Sequence, residues 1–242
     1  MDTLFNRQNR WNMQTIFKMN DLSPAVQAHV CNVFVALAMT IFMAAAGVLA
    51  FLNTHFCGQG LATCVCFGLI FWLAFDSNKA NQQKRLAMLA GFGFFKGVAL
   101  GGLVEVVLEV DPSILVTAFL ATCAIFLCFA GAAFTAKRRS YFYLQGMLSS
   151  ALTVMLITSL AAWLFPSARW LSFNLSLYGG LAVFCGYVVL DCQLLVEKAV
   201  LGSRDVAWDA LDLFIDFVAI FVRICIILLK NAEKKDKNKD KK

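Results

Sequence analysis

Residues 30–52 read VCNVFVALAMTIFMAAAGVLAFL, without one charged side chain. Only a helix of about 20 mainly apolar residues satisfies every backbone group across a hydrocarbon core of roughly 30 Å, so this stretch predicts a membrane span. Working outward, six more segments qualify, giving spans at 30–52, 56–75, 86–108, 114–136, 141–164, 171–196 and 206–229. With 60% apolar residues and a mean hydropathy of +0.73, the 242-residue chain holds too few polar residues to cover a water-facing surface. The expected fold is all-α: a polytopic membrane protein with a seven-helix bundle. Three parts follow, namely a cytosolic segment 1–29, a transmembrane domain 30–229 and a lysine-rich tail 230–242.

The connections are short, so function belongs inside the bundle or at its rims. Residues 1–29 lack the charged, apolar, small-residue order of a cleaved leader, and the first span serves as the insertion signal. Cys31, Cys64, Cys66, Cys123, Cys128, Cys185, Cys192 and Cys225 lie within spans, where thiols pack as small hydrophobes. There is no Cys-x-x-Cys pair, and His29 and His55 sit at opposite ends of the first span, so no metal site and no cofactor are expected.

Arg7, Arg10, Lys18, Lys79, Lys84, Arg85, Lys137, Arg138, Arg139, Lys198 and Arg204 fall on the amino-terminal side of the membrane, against Arg169 alone on the other. Translocating cationic loops is disfavoured, so the amino terminus is expected in the cytosol. The tail breaks this pattern. It carries seven lysines against Glu233, Asp236 and Asp240, a net +4 of the chain's +6, and seven full spans would place it outside the cytosol. Either the seventh helix spans despite the rule, or it is re-entrant. The tail itself reads as a solvated, disordered charge run or as a lipid-facing or regulatory segment. It ends NKDKK, neither a KDEL-type nor a dilysine signal.

Ionisable groups inside spans are costly and mark interiors or wet cavities. At about 100° per residue, Asp209, Asp212, Asp216 and Arg223 share one narrow face of the seventh helix. They form either a structural ion network, in which Asp216 or Asp212 neutralises Arg223, or a path for ions or protons. At about 1.5 Å rise per residue, Asp191 lies roughly 8 Å from the cytosolic end of the sixth span and Asp216 roughly 14 Å from that of the seventh. Antiparallel neighbours then bring these carboxylates together, and at low dielectric both cannot ionise cheaply. The pair is expected to share a proton and act as a proton-sensitive latch.

Glu105, Glu109 and Asp111 stand at the non-cytosolic end of the third span and form a mouth that attracts cations. Lys96 lies about 16 Å into that span, near the depth of Asp216, and either pairs with Asp216 or Asp212 to hold a path shut or extends along its stem. Gly91, Gly93, Gly97, Gly101, Gly102, Gly179, Gly180 and Gly186 allow helices to approach closely.

Five runs occur in a familiar order: KRLAMLAGFGFFKG at 84–97, DPSILVTAF at 111–119, KRRSYFYLQG at 137–146, LDCQLL at 190–195 and WDALDLFIDF at 208–217. On these, and over nearly its whole length, the chain resembles the Bax inhibitor-1 family. The resemblance implies a seven-helix protein of the endoplasmic-reticulum membrane that suppresses apoptosis and ER stress. It further implies a pH-sensitive calcium leak whose di-aspartate sensor matches Asp191 and Asp216, with transient calcium at those acids. An arginine that latches the sensor belongs to the same picture, and Arg85 is its nearest candidate. Two positions depart from the pattern: Lys96 replaces a small polar residue, which questions calcium passage, and Asp111 replaces asparagine, which adds charge at the mouth. Expected partners are the lipid bilayer, calcium ions and membrane proteins of the cell-death and unfolded-protein-response machinery, with no nucleic acid.

Three other readings compete. A di-aspartyl intramembrane protease would carry Tyr-Asp and Gly-x-Gly-Asp, whereas these aspartates sit in Val-Leu-Asp-Cys and Phe-Ile-Asp-Phe, so no enzyme is expected. A seven-span receptor would need an external amino terminus. A non-conducting scaffold that regulates cell-death or stress-sensor proteins remains the alternative.

Overall fold

The computed structural model describes residues 23–54, 58–76, 81–135 and 141–239. The expected positions Arg7, Arg10, Lys18, His55, Lys79 and Lys137 to Arg139 lie outside these residues. The described residues form helices α1 (Pro24–Thr54), α2 (Gln59–Phe75), α3 (Gln82–Val110), α4 (Pro112–Thr135), α5 (Tyr141–Leu164), α6 (Arg169–Asn174), α7 (Gly180–Val200) and α8 (Val206–Lys239). A 3₁₀ turn precedes α6, and a π-helical turn, Leu175–Gly179, joins α6 to α7 within the sixth span. Five spans are long and apolar enough to cross a bilayer: α1, α3, most of α4 and α5, and the composite Pro166–Val200. The chain is a polytopic helical membrane protein. Its other two long helices depart in opposite ways: α2 is apolar but has only 17 residues, and α8 is long but polar.

Local chemistry places the helix ends. The Asn81 side chain accepts the Lys84 N–H at the start of α3. Asp111 closes α3 through its own N–H to Val107, and its Oδ1 accepts the Ser113 N–H at 2.8 Å to open α4 beside Pro112. Between α7 and α8 the chain reverses through Gly202, at φ 87°, where residues with a Cβ are disfavoured. Asp205 Oδ1 then accepts the Trp208 N–H and caps α8.

α8 is the centre of the bundle, packed against α7, α1, α4 and α3. Ala207, Ala210, Leu211, Leu213, Phe214, Ile220 and Cys225 are all but inaccessible. Phe214 meets Phe92 of α3 edge-on at 5.8 Å, and Phe217 meets Phe126 of α4 at 5.7 Å. Encirclement by apolar helices explains how a polar helix persists at membrane depth: its charges face protein instead of lipid. The bilayer side is apolar, with Phe67, Phe71 and Trp72 of α2 and Met147, Leu156 and Trp163 of α5 exposed.

α1 and α3 come together through glycine. A Cβ on Gly97 would lie 1.9 Å from the Ala44 carbonyl oxygen, and one on Gly93 2.7 Å from that of Thr40. The expected small-residue packing holds at these positions, but Gly91 has only ordinary contact with Leu69.

The seventh helix does not fold back on itself. α8 runs unbroken for 34 residues, about 50 Å at helical rise. Its start touches Lys198 near the end of α7, and Lys230 reaches Asn174 before the π turn, so α8 matches the whole depth of the sixth span. The lysine-rich segment is helical through Lys239, not an unstructured charge run. Elongating an existing helix needs no new nucleus, and lysine and glutamate favour it.

Candidate functional site

α7 and α8 lie antiparallel, and the seam between them carries most of the intramembrane charge. The side chains of Asp191 of α7 and Asp216 of α8 face each other across the seam, close enough for their carboxyls to interact, as their depths predict. Asp216 is 3% exposed, and its Oδ2 is buried with no hydrogen-bond partner. A carboxylate is only an acceptor, so a hydrogen bond between two carboxyls requires a proton on one of them. Without that proton two facing charges would stand at low dielectric, with Asp216 Oδ2 short of a donor. At such a pair a single proton would decide between attraction and repulsion.

The other expected members of the network separate into distinct sites. Towards the α7–α8 loop, Asp209 is 4% exposed and joins three helices. Its Oδ2 lies 3.1 Å from His29 Nε2 on α1, and its Oδ1 accepts from Lys198 Nζ of α7 at 3.0 Å. Lys198 also stands 3.7 Å from Asp212, whose side chain is 34% exposed. Sequence reasoning missed His29: its position at the rim was legible, but nothing local says that α1 packs on the start of α8.

Arg85 does not latch the acid pair. Its guanidinium, 2% exposed, donates through Nη2 to Asp205 Oδ2 at 2.6 Å and through Nε to Oδ1 at 3.2 Å. Nη1 reaches the Leu73 and Asp76 carbonyls at 3.2 and 3.3 Å. Arg85 thus ties the end of α2 and the start of α3 to the α7–α8 loop, supported by Gln82 Nε2 on the Arg204 carbonyl at 3.3 Å. Asp205 takes this role because it is within reach at the rim, while Asp191 and Asp216 lie deeper.

Lys96 does not pair with Asp216 or Asp212; no such ion pair occurs among the described residues. Its charge acts on Cys66 of α2, and Cys66 Sγ contacts the Phe92 carbonyl at 3.9 Å, so Lys96 lies on the α2 side of α3. Equal depth does not imply an equal face. Arg223, for its part, is not neutralised by Asp216: Nε donates to the Ser176 carbonyl at 3.1 Å and Nη1 to the Ala219 carbonyl at 2.8 Å.

At the opposite end of α3, Glu109 and Asp111 are exposed and Glu105 is half-buried. Hydrogen bonds from Ser113, backbone first, hold the Asp111 carboxyl below the usual carboxylate range and keep it charged. The acids line one rim, away from the Asp191–Asp216 pair, and Asp111 is partly committed to capping. Among the described residues no group of three or more His, Cys, Asp or Glu side chains is disposed to hold a metal ion. A cation at Asp191 and Asp216 would meet two carboxylates, too few for a resident calcium site.

Fold and seam together define a class: a polytopic helical membrane protein built around a charged central helix with two carboxyls facing each other at its seam. The chain belongs to the Bax inhibitor-1 family. It matches the family described as "Inhibitor of apoptosis-promoting Bax1" over residues 26–233. It is 43% identical to "Bax inhibitor 1" of Bos taurus over 230 residues, covering 94% of this chain and 97% of that protein. It is also 43% identical to that of Homo sapiens over 233 residues, covering 96% and 97%. The Arabidopsis thaliana "Bax inhibitor 1" is 40% identical over 227 residues, 93% of this chain and 90% of the relative.

Proposed function

We propose that this protein suppresses apoptosis from the endoplasmic-reticulum membrane, with its amino terminus in the cytosol, as a proton-gated calcium leak. Membership of a family described by apoptosis inhibition supports the first part. The observation that carries the second is the facing of Asp191 and Asp216 across the seam, with Asp216 Oδ2 buried and unpartnered. While the pair keeps its proton, it draws α7 and α8 together. When the proton leaves, repulsion parts the seam and exposes two carboxylates suited to a passing calcium ion. Calcium is the permeant ion, no cofactor is used and no reaction is catalysed. The bilayer and membrane proteins of the cell-death and ER-stress machinery are its partners.

A scaffold that does not conduct is the second reading. It draws on the Arg85–Asp205 and His29–Asp209–Lys198 ties, which fix the rim of the bundle without any need for transport.

Calcium-loaded liposomes holding the purified chain distinguish the two. Release should rise from mildly acidic to mildly alkaline pH. Asp216→Asn, whose amide donates to Asp191 without titrating, should stay shut throughout, and Asp191→Asn should behave alike. Lys96→Thr should retain the native pH response, because Lys96 faces α2. Release no faster than from empty liposomes, for all four proteins at every pH, would exclude the leak and leave the scaffold.

A further inference from the structure

Beyond the acid pair, the α7–α8 seam reverses sign. Asp209, Asp212, Asp191 and Asp216 occupy one half, and Arg223 and Lys230 follow on the same face of α8 at seven-residue steps, each about 10 Å further along. Arg223 sits in a built seat. The π turn supplies the Ser176 carbonyl, and the Phe184 ring lies 4.4 Å from the guanidinium carbon. Gly180 makes the room: a Cβ there would stand 2.4 Å from Arg223 Nε. π turns interrupt helices at a cost and mark functional positions. Here the interruption, the glycine and the ring face all serve one side chain.

Among the described residues no carboxylate forms an ion pair with Arg223. Carbonyl dipoles and a ring face solvate its charge without cancelling it, and a guanidinium keeps that charge across the working range of pH. Lys230 repeats the arrangement nearer the rim, with Asn174 Oδ1 at 3.1 Å and the Phe173 ring at 5.3 Å.

We propose that Arg223, seated by the π turn, Gly180 and Phe184, is a fixed electrostatic barrier that determines which ions cross once the acid pair has opened. This rests on the leak reading above. A cation drawn to the acidic half must pass a positive charge to leave by the other. The repulsion is doubled for a divalent ion and inverted for an anion. The barrier restrains calcium flow to a slow leak, and the acid pair sets when that leak occurs.

The test is flux of calcium, potassium and chloride through the full chain in liposomes, for the native protein, Arg223→Gln and Arg223→Lys, with Asp216→Asn as control. Arg223→Gln should raise calcium flux by about tenfold or more, potassium less, and lower chloride, as removal of a unit charge near the path requires. The pH at which the leak opens should not move, and Arg223→Lys should restore native selectivity. If Arg223→Gln is not monodisperse, Gly180→Ala replaces it: displacing the guanidinium should raise calcium over chloride in the same direction. A rise in all three ions together would mean a loosened bundle and would overturn the barrier, as would unchanged calcium flux. A native leak that Asp216→Asn abolishes and Arg223→Gln leaves alone refutes the barrier only. Silence in every protein refutes the leak itself.

Discussion

Asp209 shows what one buried carboxylate costs and what it holds. It draws a donor from each of two neighbouring helices, so its oxygens are occupied by His29 and Lys198. Replacing His29 by alanine removes one of these and opens a gap between α1 and α8. The expected loss is about 1–3 kcal/mol, read as a lower melting temperature in detergent. Arg85 is more exacting, because its fork meets both oxygens of Asp205. Arg85→Met should cost about 2–4 kcal/mol, and Arg85→Lys should recover little of it, since a single ammonium cannot reproduce the fork. A full recovery by lysine would show that charge alone matters at the rim.

How much of the site the sequence discloses also differs residue by residue. Asp191 and Asp216 were legible because depth and helical phase suffice when two antiparallel helices share a short loop. Lys96, Arg85 and Arg223 were not, because depth leaves the face open and phase on one helix does not name the neighbour. The shared face of Asp209, Asp212, Asp216 and Arg223 is real, yet Asp209 and Asp212 share Lys198, Asp216 faces Asp191, and Arg223 turns to the Ser176 carbonyl of the π turn.

Among the elements, the α1–α3 contact and the π turn carry the most information. Gly97 lies against the Ala44 backbone, which cannot move as a side chain end could. Gly97→Val should therefore abolish a stable fold, whereas Gly60→Ala, with nothing within 4 Å, should be neutral; yields of monodisperse protein measure both. Five of the seven expected spans follow from length and hydropathy, whereas the π turn does not. Its residues Leu175–Gly179 are as apolar as an ordinary helix, and only the Arg223 donor 47 residues later explains the displaced carbonyl. Similarly, composition makes α8 look marginal as a span, and only its encirclement by the other helices shows why it is the core.

For the whole molecule, continuity of α8 has a topological consequence. A helix that runs beside the sixth span over its whole depth would carry Lys239 to the membrane face opposite the α7–α8 loop. Tags placed before Met1 and after Lys242 should accordingly become accessible on opposite sides in selectively permeabilised cells. Accessibility of both from one side would require α8 to leave the bundle.

The central claim is that one proton, shared by Asp191 and Asp216, holds α7 to α8. Infrared difference spectroscopy of the purified protein across pH reads that proton through the carboxylic-acid carbonyl stretch. The account predicts a buried protonated carboxyl at mildly acidic pH that disappears as pH rises and is absent from Asp216→Asn and Asp191→Asn. The same protonated band in the native protein and both variants, or no such band at any pH, would contradict it.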